Sequence, residues 1–139
     1  MGEVVFREMA DRAGLAGRFA VTSRGTHDYH VGEGADPRTV AALATAGYDG
    51  RAHRAARLSD GDIATNDLLV ALDRGHERIM RSRGAVPERL TLLTAYDPER
   101  PEDPDVFDPY YSDDRAFERV LEQVERSCAA LLEALARSR

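Results

Sequence analysis

The sequence predicts an α/β fold of three layers, in which helices flank a small parallel sheet. Apolar runs of strand length at residues 68–72 and 90–93 alternate along the chain with helical segments. The run 68–72 is apolar without interruption, which is typical of a strand buried on both faces. Strands that alternate with helices favour a parallel sheet covered on both sides. The length suits a single domain over residues 1–139.

The first two helices are indicated by spacing and by their ends. Residues 4–13 carry apolar side chains at four-residue intervals, and Gly14 follows as a stop signal. Asp36 before Pro37 predicts an N-cap with proline at the first helical position, and Gly47 predicts the end.

The remaining elements follow the same rules. Residues 19–23 form a third strand candidate, and Ser59 with Asp62 resembles a capping box for a short helix. A polar helix is expected over 74–82. The last helix is expected over 114–137, with one apolar stripe. The residues of this stripe are Phe117, Val120, Leu121, Val124, Cys128, Leu131, Leu132 and Leu135.

Composition and charge exclude several classes of protein. The net charge of −6 argues against nucleic acid as the main partner, because phosphate backbones require clustered positive charge. No apolar run approaches the ~18 residues of a membrane span. Cys128 is the single cysteine, which excludes an internal disulfide and fits a reducing compartment. We therefore expect a cytoplasmic protein that binds neither nucleic acid nor membrane.

A proline- and acid-rich loop, the acid loop, is expected over residues 95–112, and its stretch 105–111 is the most informative for function. It contains Asp108 directly before Pro109, which biases the backbone of the aspartate to extended geometry. Tyr110 and Tyr111 follow. Two adjacent tyrosines on an exposed loop are energetically unfavourable unless their rings line a pocket or a surface. From the residues alone, a surface loop packed by its own aromatic rings explains the pattern equally well.

A resemblance favours the functional interpretation. The chain resembles the low molecular weight protein tyrosine phosphatases, which carry Asp-Pro-Tyr-Tyr just before their last helix. The similarity covers essentially the whole chain in order and spacing. Its other matching stretches are residues 4–7, 21–26, 29–33, 36–38, 53–55, 72–73, 92–93 and 96–98.

The resemblance implies hydrolysis of phosphotyrosine, in proteins or as a small aryl phosphate, through a cysteinyl-phosphate. Asp108 would be the general acid and base. Tyr110 and Tyr111 would flank the substrate ring, with Tyr29 on another wall. No cofactor is implied. His27 and His30 lack an evident third ligand, so we expect no metal site.

The resemblance also implies a supporting role for two residues and the absence of the family's phosphate-binding loop. Ser23 and His53 match positions that hydrogen-bond an asparagine in the family's phosphate loop, and we expect both to lack that partner here. The loop itself, Cys-x5-Arg, does not occur in the sequence. Cys128 lies on the apolar stripe and has Ala134 six residues on, so no nucleophile is expected in this chain.

The family's sheet has four parallel strands with the first strand central, and we expect that strand to be missing. The domain would then be N-terminally truncated, inactive alone, and rearranged or completed by another chain. One hypothesis is that Met1 is an internal methionine of a longer phosphatase. The alternative is a non-catalytic relative that uses the aromatic pocket or the acidic loop to bind a partner.

Overall fold

The computed structural model describes residues 1–25, 32, 34, 36–107 and 114–138 of the chain. These residues form helices at Gly2–Arg12 (α1), Pro37–Thr45 (α2), Asp60–Thr65 (α3), Arg74–Ser82 (α4) and Asp114–Ser138 (α5). Strands lie at Leu69–Ala71 (β1) and Leu90–Leu92 (β2). Short 3-10 turns lie at Ala16–Arg18, Pro87–Arg89 and Leu93–Tyr96.

The two strands form a parallel pair. Leu69 lies opposite Leu90, and Ala71 lies opposite Leu92. Parallel neighbours cannot be joined by a tight turn, and here α4 is the helix in the crossover connection between them. The α/β fold with a small parallel sheet is therefore confirmed.

Alternate residues of β1 face two separate apolar clusters. Leu69 and Ala71 are buried with residues of α3 and α4, including Ile63 and Met80. Val70 points to the opposite face, where it packs against the larger cluster. Helices thus cover both sides of the sheet, as predicted. The larger cluster draws its buried residues mainly from α1, α2 and α5: Val5, Phe6, Ala10, Leu43, Val120, Leu121, Val124, Cys128, Leu131 and Leu132.

Helix starts follow the local sequence signals. Asp36 caps α2, since its carboxylate accepts a hydrogen bond from the backbone N–H of Arg38 at 2.8 Å. At the start of α3 the Ser59 hydroxyl accepts from the N–H of Asp62 at 3.0 Å. The Asp62 carboxylate accepts from the N–H of Ser59 at 2.9 Å. The predicted capping box is confirmed.

Two helix ends are glycine turns. Gly14 after α1 has φ +74°, and Gly47 after α2 has φ +93°. Residues with a side chain adopt this left-handed region at a cost, so glycine is the favoured residue there. Both positions were predicted as stops.

The predicted apolar stripe of α5 is the side that faces the core. Its residues from Phe117 to Leu132 are buried, and Leu135 is partly buried against the same cluster. This helix packs against α1 and against the turn Leu93–Tyr96. In the part of the chain that the structure describes, no helix is long and apolar enough to cross a bilayer.

The strand prediction for residues 19–23 is wrong. This segment has no ladder with a neighbour, and its nearest bridge joins Gly25 to Arg57. The carbonyl of Val21 accepts a hydrogen bond from the Arg7 guanidinium instead of a strand N–H. Phe19 turns into the core and meets Phe6 edge-on, with ring centroids 5.6 Å apart. The apolar side chains of this segment, Phe19 and Val21, pack against the larger cluster, and among the described residues its backbone does not pair with a neighbouring strand.

Candidate active site

Phe107 is the last described residue before the predicted acid. The site is therefore described from the residues that lead to Phe107 and from the predicted supporting pair, Ser23 and His53. Four predicted site residues lie outside the described residues, and their roles stay predictions: Asp108, Tyr110, Tyr111 and Tyr29.

The loop is bound to α5 at its start. The side chain of Asp97 is fully buried and accepts hydrogen bonds from the Arg126 guanidinium, with Nε–Oδ1 and Nη2–Oδ2 both 3.2 Å. Arg126 also pairs with Glu99 at 2.6 Å. Burial would raise the pKa of Asp97. The hydrogen bonds and charge of Arg126, together with hydrogen bonds from the backbone N–H of Glu99 and from Gln123, outweigh this effect, and the pKa stays below its usual range. Asp97 is therefore ionised at neutral pH.

A second anchor holds the far end of the described loop. The carboxylate of Asp105 accepts from the backbone N–H of Arg74 at 2.8 Å and from Arg74 Nε at 3.2 Å. The N–H of Val106 donates to the carbonyl of Leu72 at 2.8 Å. The segment that leads to Asp108 is thus bonded to the junction between β1 and α4.

An apolar edge lies beside this second anchor. Phe107 directly precedes Asp108 and is 57% exposed, and Leu72 is 40% exposed. Exposed aromatic and aliphatic side chains of this size are suited to contact a flat or apolar group.

The supporting pair converges on one acid of α1. The Ser23 hydroxyl donates to Glu3 Oε1 at 2.7 Å, and His53 Nδ1 lies 3.7 Å from the same oxygen. Glu3 Oε2 pairs with Arg7 at 2.8 Å. The expectation that Ser23 and His53 lack the asparagine partner of the family's phosphate loop stays a prediction. Both lie against Glu3, a residue that the sequence analysis did not single out.

The charges in this cluster are set by burial and by Glu3. Burial lowers the pKa of His53, and the nearby Glu3 carboxylate offsets this only in part. The ring is therefore neutral at pH 7. Burial alone would raise the pKa of Glu3, but the Ser23 hydrogen bond and the Arg7 charge outweigh it, so the carboxyl is ionised.

A cavity of ≈250 Å³ opens beside this cluster. Three guanidinium groups and two carboxylates face it, and cations on a concave surface suit an anion such as phosphate. The arginines already have partners, for example Arg24 with Asp62 at 3.3 Å. The residues that line the cavity are Glu3, Val4, Arg7, Thr22, Arg24, Asp49, Ala52, His53 and Arg54.

A larger cavity, of ≈370 Å³, lies at the end of α2 around Tyr48 and contains no predicted site residue. Its size therefore does not locate the site. Among the described residues, no three His, Cys, Asp or Glu side chains lie together in a way that could hold a metal ion.

Cys128 lies inside the larger apolar cluster. It is 2% exposed, and its Sγ lies 4.0 Å from the carbonyl of Gly2. Burial raises its pKa to about 12, so the reactive thiolate is almost absent at neutral pH.

Comparison with known proteins decides the family. The family model described as low molecular weight phosphotyrosine protein phosphatase matches residues 1–139. The chain belongs to this phosphatase family.

Curated relatives of the phosphatase family agree along almost the whole chain. A low molecular weight protein-tyrosine-phosphatase of Streptomyces coelicolor is 45% identical over 140 residues, which are 97% of this chain and 84% of the relative. A low molecular weight protein-tyrosine phosphatase A of Mycobacterium tuberculosis is 39% identical, over 94% of this chain and 80% of the relative.

Solved phosphatase-family structures share the fold. A protein tyrosine phosphatase of Entamoeba histolytica superposes with a TM-score of 0.91 at 22% identity, over 99% of this chain and 88% of that one. YfkJ of Bacillus subtilis superposes with a TM-score of 0.90 at 26% identity, over 99% and 86%.

Sequence reasoning missed three charged residues of this phosphatase-family chain. Glu3 meets partners 20 and 50 positions away, and Arg74 meets Asp105 31 positions away. Neither pairing leaves a periodic signal, because each joins separate elements. Only the acid-rich composition of the loop hinted that a basic partner was needed.

Proposed function

We propose that the protein hydrolyses aryl phosphate monoesters, with phosphotyrosine as the substrate type and Asp108 as the general acid. The supporting observation is the family match over residues 1–139, with a relative 45% identical that is called a protein-tyrosine-phosphatase.

In the first step, a cysteine thiolate attacks phosphorus while the bond from phosphorus to the phenolic oxygen breaks. Asp108 gives its proton to the departing phenolate, so that a neutral phenol leaves. Tyr110, Tyr111 and Tyr29 flank the aromatic ring of the substrate. Phe107, which directly precedes Asp108 and is exposed, would add to this apolar wall.

In the second step, Asp108 acts as a carboxylate. It takes a proton from a water molecule, whose oxygen attacks phosphorus and breaks the bond to sulfur. Inorganic phosphate leaves, and the thiolate and the protonated acid are both restored.

These 139 residues supply the acid but not the thiolate. The burial of Cys128 and its raised pKa support this assignment. The thiolate would then belong to a phosphate-binding loop outside residues 1–139, and residues 1–139 alone would be inactive.

Ser23 and His53 would hold that phosphate-binding loop in shape. Their convergence on Glu3 supports this role, because it places a hydroxyl and a neutral imidazole side by side at the start of α1. The start of a helix is a favourable place for a phosphate, since its free N–H groups point outward.

The test is Asp108→Asn in the protein expressed from its own gene locus. We expect kcat for phosphotyrosine to fall by about 10²–10⁴, because the amide cannot donate the proton. The matched control is Glu102→Gln, an exposed acid of the same loop, which should keep kcat.

Equal kcat values for Asp108→Asn and Glu102→Gln would refute the assignment of the acid. Tight binding of phosphotyrosine without any turnover by the unaltered protein would refute catalysis, and it would support the non-catalytic binding protein.

A further inference from the structure

Asp105 lies three residues before the proposed acid, and its carboxylate accepts hydrogen bonds from the first turn of α4. Oδ1 accepts from the backbone N–H and from Nε of Arg74, and Oδ2 accepts from Nη2 at 3.3 Å. A bidentate ion pair of this kind fixes the orientation of the two side chains as well as the distance between them. Asp105 therefore cannot turn without breaking several bonds.

Further hydrogen bonds and one ion pair restrain the residues around Asp105. The N–H of Asp105 donates to Asp103 Oδ1 at 2.9 Å, and that carboxylate lies 3.8 Å from Arg74 Nη2. The N–H of Val106 binds the carbonyl of Leu72 at 2.8 Å. Residues 103–106 are thus tied to the end of β1 and the start of α4, two elements that pack against each other.

The exposure of this pair argues for a role other than stability. The side chains of Arg74 and Asp105 are 55% and 32% exposed, and exposed ion pairs contribute little to folding. Such a pair still sets where the backbone enters the tip of the loop. A general acid must lie within hydrogen-bond reach of the leaving oxygen, and small displacements cost much of the rate.

We propose that Arg74 is a positioning residue that clamps the segment before Asp108 to α4 through Asp105. This inference rests on the proposed function, because it gives the clamp an acid to position.

Amide hydrogen exchange tests the clamp in residues 1–139 without any need for turnover. Arg74→Ala should speed exchange at Val106 about tenfold, because the local opening loses its main restraint. Asp105→Asn should do the same, and the double variant should add little, as expected for two partners of one contact. Arg74→Lys should give an intermediate rate, since it keeps charge but not the bidentate geometry.

Arg81→Ala is the matched control for exchange. Arg81 lies on the same helix, is 57% exposed and pairs with Glu77 at 3.9 Å. It should leave Val106 unchanged. Exchange at Val124 in α5 should stay the same in every variant and shows that the fold is intact. Equal Val106 rates in Arg74→Ala and Arg81→Ala would overturn the proposal.

The kinetic test separates positioning from plain structural support. In the protein expressed from its own gene locus, Arg74→Ala should lower kcat for phosphotyrosine about tenfold with KM unchanged. The loss in kcat/KM, which reports the first step, should be smaller for p-nitrophenyl phosphate, whose leaving group needs little protonation; kcat also includes the second step, hydrolysis of a cysteinyl-phosphate that is the same for both substrates. Equal losses in kcat/KM for both substrates would overturn the role in positioning the acid. Absence of turnover in the unaltered protein would refute the proposed function instead, while Val106 exchange would still decide whether the clamp exists.

Discussion

At the scale of single residues, Glu3 organises the described part of the site. One carboxylate accepts from Ser23, pairs with Arg7 and lies beside His53. Burial lowers the pKa of His53, and the negative charge of Glu3 offsets part of this effect. Glu3 therefore influences the protonation of a histidine to which the proposed mechanism gives a supporting role.

Replacing this carboxylate should change the titration of His53. Glu3→Gln removes the negative charge that raises the pKa of His53. Because burial still lowers this pKa and the Glu3 charge no longer offsets it, the pKa of His53 should fall further. The measurement is an NMR titration of the ring of His53. Glu8→Gln is the matched control, because Glu8 lies on the same helix but pairs with Arg12 at 3.0 Å. An unchanged His53 titration in Glu3→Gln would show that the two groups are not coupled.

At the scale of elements, the described part of the acid loop, residues 95–107, is held near both of its ends. Arg126 of α5 holds its start through Asp97, and Arg74 of α4 holds its end through Asp105. The first anchor is buried at the carboxylate and the second is exposed. The first should therefore contribute to stability, and the second to the placement of the loop.

Loss of the buried anchor should destabilise the fold. Arg126→Ala leaves the fully buried carboxylate of Asp97 without its charged partner, although the backbone N–H of Glu99 still donates to it, and this should cost about 2 kcal/mol of unfolding free energy. This is less than a fully buried pair costs, because Arg126 is 32% exposed. Arg137→Ala on the same helix should cost under about 0.5 kcal/mol, since Arg137 and Glu133 are both largely exposed. Urea unfolding of the variants measures the difference.

The cost of Arg126→Ala should depend on pH. The folded-state pKa of Asp97 is lowered, so the stability from this pair is present above the ordinary aspartate value of about 4. It is lost as pH falls through the lowered pKa. The unchanged chain and the variant should therefore converge in acid. A difference that persists undiminished would assign the cost to lost packing of the Arg126 stem.

Local signals predicted most elements, because their information is local. The bounds of α4, the capping box at Ser59 and the glycine turn at Gly47 all follow from short-range rules. Residues 19–23 were misjudged because a strand needs a neighbour, which its own sequence does not show. The contact of Ser23 with Glu3 was missed for the same reason, since it joins two distant segments.

At the scale of the whole molecule, the helices close two apolar clusters around the sheet, and Cys128 belongs to the larger one. The chain spans 84% of its Streptomyces coelicolor relative. The described residues thus hold the segment that leads to the proposed acid and a core in which the single thiol is buried. We propose that this chain has the phosphatase acid, Asp108, but that its own cysteine is not the nucleophile.

Phosphate release from an aryl phosphate tests that claim most directly. We compare residues 1–139, the protein expressed from its own gene locus, and Cys128→Ala in the latter. Residues 1–139 should release no phosphate, the locus-expressed protein should turn over, and Cys128→Ala should keep that turnover, because a buried thiol with a pKa of about 12 does not attack phosphorus. Turnover by residues 1–139 that disappears in Cys128→Ala would contradict the account.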